Sequence, residues 1–100
     1  MVRHIVLFKL KEFASAEEKQ AKMSEIKHAL ESLENKIPPL RSLRVDFNIN
    51  PSETWDLILT ADLDSLNDVQ AYALHPAHVA VSRDLIAPVK AERACVDYEV

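Results

Sequence analysis

Glycine is missing from all 100 residues. Gly-rich phosphate loops, the dinucleotide fingerprint and the Walker loop each need backbone positions that only glycine tolerates, so nucleotide cofactors held in those ways are excluded. Cysteine occurs once, as Cys95, which rules out an internal disulfide and a thiolate cluster within one chain. With no evident cationic neighbour to activate it, Cys95 reads as a small buried apolar side chain. Long apolar runs are also lacking. The run from Ile5 to Phe8 is among the longest, far below the roughly 20 residues of a membrane-spanning helix. No charged head, apolar stretch and cleavage site open the chain, so a cytoplasmic location is expected and no membrane partner.

Positive charge is neither in excess nor concentrated. The net charge is -4, and Arg3, Lys9, Lys11, Lys19, Lys22 and Lys27 are scattered. A nucleic-acid surface needs a basic stripe that displaces counterions, so no nucleic-acid partner is expected. Bulk acidic ligands are disfavoured for the same reason.

What is present is the composition of a soluble globular protein, 48% apolar and 28% charged. Without a linker, repeat or low-complexity stretch, residues 1–100 read as one domain. Val2 to Leu10 alternates with period two and reads as a strand with both faces partly apolar. Ser15 and Glu18 have capping-box spacing, and Met23, Ile26, Leu30, Leu33 and Ile37 follow at helical spacing, which predicts a helix over Ala16 to Lys36. Pro38 and Pro39 stop it. Leu43, Val45, Phe47 and Ile49, then Trp55, Leu57, Leu59, Ala61 and Leu63, mark two strands joined by a turn at Pro51, Ser52 and Glu53. A second helical region opens at Ser65, with Leu66, Val69, Ala73 and Leu74 assigned to its inner side. It breaks at His75-Pro76, resumes with Val79, Ser82, Leu85 and Ile86, and ends at Pro88. Ala94, Val96, Tyr98 and Val100 alternate in a final strand.

The order β-α-β-β-α-β predicts an α+β, ferredoxin-like domain: a four-stranded antiparallel sheet with its helices on one face. The other face is then open in a monomer. It is expected to show Ile5, Leu7, Ile58 and Cys95, rimmed by Arg44, Asp46, Thr60 and Asp97. An apolar centre with a polar rim suits a self-complementary interface, so a homodimer through this face is expected, a merely solvated face being the plainer alternative.

The opening Val2-Arg3-His4-Ile5-Val6-Leu7-Phe8-Lys9, the segment Tyr72-Ala73-Leu74-His75-Pro76-Ala77-His78 and the ending Val96-Asp97-Tyr98-Glu99 together resemble the stress-responsive dimeric α/β-barrel (Dabb) family. The resemblance covers nearly the whole chain and implies a dimeric α/β barrel. The chain is similar, within that family, to a plant polyketide cyclase that needs no metal or organic cofactor. Three functional positions of that enzyme fall on His4, Tyr72 and His78. Its pocket for an aliphatic tail does not carry over, and the His-Pro-x-His stretch marks the family better than the reaction.

His4 shares a strand face with Val6 and Phe8, which the alternation places beneath the helices, and Tyr72 and His78 come from the broken helix above. The three can therefore converge on one pocket. A neutral imidazole there could take a proton next to a carbonyl, with the tyrosine hydroxyl orienting the base or binding the enolate oxygen. The plainer alternatives are a core histidine bonded to a carbonyl for His4 and simple packing for Tyr72. His75 is expected to cap the helix end, and His28 to face solvent. A metal held by His75, His78 and His4 is disfavoured, since Pro76 disturbs a simple i, i+3 pair and zinc needs three or four convergent ligands. No carboxylate pair has the setting of a general acid and base.

The expected function is thus a small-molecule pocket for an apolar, aromatic or polyketide-like ligand, with cofactor-free cyclase or lyase chemistry and His78 as base. A non-catalytic dimeric module or ligand sensor competes with it. A cofactor-independent oxygenase, hinted at by Trp55 and the histidines, is a third reading. A pocket of roughly 300 Å³ or more would favour the first of these, and a filled interior with His4 bonded to backbone the second.

Overall fold

The structure, a computed structural model, describes residues 1–100. Strand β1 (Val2–Leu10) leads into α1 (Ala16–Glu31) and a tight 3-10 turn at Ser32–Asn35. Then come β2 (Ser42–Phe47), β3 (Leu57–Leu63), α2 (Leu66–Leu74), α3 (Pro76–Val81), a wide π-type turn at Ser82–Ile86 and β4 (Lys90–Glu99). The strands lie in the order β2-β3-β1-β4, and every neighbouring pair is antiparallel. This is the ferredoxin-like arrangement. No helix is long and apolar enough to cross a membrane.

In a chain without glycine left-handed backbone is costly, and no residue has positive φ. Helix ends are therefore made by caps and prolines. The Ser15 hydroxyl accepts the Glu18 N–H at 3.1 Å and the Ser65 hydroxyl accepts the Asp68 N–H at 3.2 Å, as the spacing predicts. The helix predicted to reach Lys36 tightens instead into the 3-10 turn, which keeps Leu33 and Ile37 in the core at 1% exposure. At the break between α2 and α3, His75 is extended (φ -62°, ψ 134°), as a residue before proline prefers. Its Nδ1 accepts the Ala77 N–H at 3.1 Å, so it caps the start of α3.

Nineteen residues are buried, and His4 is the one polar residue among them. The core lies between the helices and the inward face of β1, β2 and β3, built on Val6, Phe8, Ile26, Leu30, Val45 and Leu59. Three sequence expectations need correction here. Strand β2 stops at Phe47 and β3 starts at Leu57, because the Asn48 side chain donates to the Asn50 and Trp55 carbonyls and curls the chain away. Ile49 is left 94% exposed. The inner side of α2 is formed by Val69 and Tyr72, whereas Leu66 and Leu74 are exposed. Most consequential is β4. Its register sets Arg93 opposite Phe8, Cys95 opposite Val6 and Asp97 opposite His4, so these three lie on the helix side of the sheet. The open face instead carries Ala94, Val96 and Tyr98 beside Leu7, Ile5 and Arg3. Cys95 is exposed rather than buried, because β4 is an edge strand without a buried residue.

Candidate functional site

The three residues singled out in the sequence meet at one place. His4 enters from β1, Tyr72 from the last turn of α2 and His78 from the first turn of α3. Pro76, the first residue of α3, and the extended His75 before it supply the bend that brings Tyr72 and His78 to one side. The Tyr72 and His78 ring centroids are 4.5 Å apart, and Tyr72 meets His4 edge-on at 6.1 Å. Together they line a cavity of about 130 Å³ with Val6, Phe8, Leu30, Leu59, Ile86 and the polar Ser82, Lys90 and Arg93. That volume is well under the roughly 300 Å³ of a drug-sized site. It suits a compact ligand.

Each imidazole is oriented through its Nδ1. His4 Nδ1 lies 2.6 Å from Asp97 Oδ1, and an ionised carboxylate can only accept, so Nδ1 carries a proton. His78 Nδ1 lies 3.0 Å from the Ala73 carbonyl oxygen, another acceptor, so its Nδ1 is protonated too. Burial, and then the nearby His4 and Arg93, hold the His78 imidazole below the ordinary histidine range despite the Ala73 carbonyl, which acts the other way. It is neutral at pH 7. Tyr72 is 1% exposed, and burial pushes its phenol well above the usual tyrosine value. Its hydroxyl is the one buried side-chain polar atom with no hydrogen-bond partner. An orphaned hydroxyl of this kind costs free energy and asks for an explanation.

The neutral His78 imidazole with its free Nε2, the His4–Asp97 pair and a phenolic donor make a set able to accept a proton from a ligand and hydrogen-bond an oxygen that gains charge. His75 is taken up in capping and lines no part of the cavity, so it does not join His4 and His78 in a metal site. Trp55 lies in the loop before β3, away from the cavity. The sequence reading missed Asp97, Lys90 and Arg93. The signal for them was the antiparallel pairing of the first and last strands, whose alternation puts 93, 95 and 97 on one side; apolarity alone could not say which side.

The family profile described as "Stress responsive A/B Barrel Domain" matches residues 2–100. A dimeric protein of unknown function with a ferredoxin-like fold from Bacteroides fragilis is 47% identical. The match covers 99% of this chain and 95% of that one, with a TM-score of 0.91. A dimeric ferredoxin-like protein of unknown function from Thermobifida fusca is 28% identical over 99% of this chain and 90% of that one, with a TM-score of 0.81. A hydroxynitrile lyase from Passiflora edulis has the same fold, with a TM-score of 0.80 at 17% identity over 99% and 92% of the two chains. No curated protein matches.

Proposed function

The chain belongs to the stress-responsive A/B barrel domain family, and from that premise we propose that it works as a homodimer whose subunits each bind a compact carbonyl compound and move a proton on it without a cofactor. The observation that carries this reading is the buried Tyr72 hydroxyl, unpartnered beside two imidazoles whose Nδ1 protons are already committed. Core tyrosines that only pack bring their hydroxyl to an edge or a partner. Here a ligand oxygen is the missing partner.

In this reading His78 Nε2 is the base. It removes a proton next to a carbonyl, the Tyr72 hydroxyl donates to the enolate oxygen as charge develops there, and the His4–Asp97 pair accepts or returns a proton at the far side. The apolar lining of Phe8, Leu30, Leu59 and Ile86 supports an aromatic or polyketide-like ligand small enough for the space. Such chemistry is that of a cofactor-free cyclase or lyase. Pairing of the open sheet faces through Ile5, Leu7, Val96 and Tyr98 is supported by the dimeric state named for the relatives from B. fragilis and T. fusca. The small cavity volume favours a second reading, a dimeric ligand sensor that binds without turnover.

The test is hydrogen–deuterium exchange at carbon, followed by NMR in heavy water, for a panel of small aromatic ketones and β-dicarbonyl compounds. Exchange above the buffer rate that disappears in His78→Ala supports catalysis. Saturable binding without exchange supports the sensor. Exchange that survives His78→Ala unchanged removes His78 from the mechanism.

A further inference from the structure

The corrected register of β4 brings Cys95 and Asp97 to His4, and the geometry points to a site for one thiophilic divalent cation of the zinc class, made by His4, Cys95 and Asp97. Their donor atoms all lie within 4.8 Å of one another. Cys95 Sγ is 3.5 Å from His4 Nδ1 and 3.9 Å from Asp97 Oδ2, and His4 Nδ1 is 2.6 Å from Asp97 Oδ1. Zinc–ligand lengths in a tetrahedron set the edges at about 3.5 Å for sulfur–nitrogen, about 3.6 Å for sulfur–oxygen and about 3.3 Å for nitrogen–oxygen. The sulfur–nitrogen edge has that length already, while the sulfur–oxygen edge of 3.9 Å is made to Asp97 Oδ2 and the short nitrogen–oxygen contact to Oδ1, so the carboxylate must turn to present one oxygen to the ion. The nitrogen–oxygen edge is short because a proton is shared across it, and it opens when the ion replaces that proton.

A nucleophilic triad does not fit these three residues. Such a triad needs the cysteine and the carboxylate on opposite nitrogens of the imidazole, whereas here both face Nδ1. Convergence of thiol, imidazole and carboxylate on one point is a ligand arrangement, with sulfur selecting soft or borderline ions over magnesium and calcium. A thiolate and a carboxylate together balance a dication. Cys95 is exposed, so an ion can enter from solvent and keep a fourth position for water.

Protons are accounted for on binding: the thiol proton leaves to solvent, and the ion takes the place of the proton on His4 Nδ1, leaving a neutral ring with its proton on Nε2. The metal-binding inference itself is independent of the proposed reaction.

Cobalt(II) titration of the full chain under reducing conditions reads the site directly. We expect one ion per chain and a near-ultraviolet thiolate-to-cobalt band, displaced by zinc and not by magnesium. Cys95→Ser should abolish the band while circular dichroism stays unchanged. Asp97→Ala should weaken binding by more than about tenfold, since even outer-shell partners of metal ligands are worth 10–100-fold. No thiolate band, or zinc affinity indifferent to Cys95→Ser, overturns the site.

Discussion

Tyr72→Phe removes one oxygen and nothing else, and its expected effect on stability has an unusual sign. The ring keeps its contacts with His78 at 4.5 Å and His4 at 6.1 Å. The oxygen it loses is buried and makes no hydrogen bond. Leaving such a group unsatisfied costs about 1–3 kcal/mol, and the adjacent cavity of about 130 Å³ can admit water that recovers part of it. The variant should therefore be more stable by about 1 kcal/mol, a rise in Tm of about 4–8 °C for a domain of this size. Thermal unfolding followed by circular dichroism at one fixed protein concentration measures it, because the proposed dimerisation would make Tm depend on concentration. Affinity for a carbonyl ligand should fall in the same variant by up to about tenfold, the net worth of one hydrogen bond. A Tyr72→Phe protein that melts several degrees lower than the parent would mean the hydroxyl has a partner in the folded chain. The functional reading would then lose its main support.

Other perturbations address the remaining groups. Because burial depresses His78, the folded site rejects a proton that the unfolded chain accepts, so its contribution to stability is complete above the ordinary value of about 6.5 and is lost as pH falls below it. The acidic limb of any kcat/KM profile should accordingly lie below about 6.5, and NMR titration of the His78 ring protons should give the same midpoint. Asp97→Ala strands the Nδ1–H of the 6% exposed His4 and should destabilise by about 1–3 kcal/mol, read as a lowered denaturation midpoint. The Arg3 guanidinium, by hydrogen bonds at 2.9 and 3.2 Å, holds the Asp62 carboxyl below the usual range. That stabilisation is present above about pH 4 and lost as pH falls, so Asp62→Asn should flatten the acid limb of the stability curve.

The parts of this fold legible in the sequence are those where one physical constraint acts alone. Met23, Ile26, Leu30, Leu33 and Ile37 are spaced for one helix face, and all five are buried. Period two in β1 locates Val2, His4, Val6, Phe8 and Leu10 under the helices, which is why the convergence of His4, Tyr72 and His78 on one pocket is legible in the sequence. Helix phase failed in α2, where nine residues are too few for Leu66 and Leu74 to outweigh the burial of Tyr72. Strand phase failed in β4 for a related reason. Alternation says that Cys95 and Asp97 share a side and that Val96 and Tyr98 share the other. Which side faces the helices depends on pairing with β1 and on how far the helices reach across the sheet. Since they leave β4 without a buried residue, its more apolar side was free to lie on the open face.

That two-sidedness of β4 would couple the proposed dimer to the site. Val96 and Tyr98, 55% and 43% exposed, lie on the open face, and Cys95 and Asp97 between and beside them point to His4. Within one subunit β4 is paired only to β1, so the Asp97 carboxylate that orients His4 is carried by an edge strand. A partner subunit packed on Val96 and Tyr98 would hold that strand down. Val96→Asp places a charge in the centre of the proposed interface and should give monomers by light scattering. It should also speed amide exchange along β4, where sub-global opening needs only the β1 ladder to break. Loss of the His4 Nδ1 proton signal should follow, since Asp97 is then held less firmly. A Val96→Asp monomer that kept slow β4 exchange and an intact Nδ1 signal would show that each subunit builds its site alone, and the dimer would have to be explained by burial of the open face and nothing more.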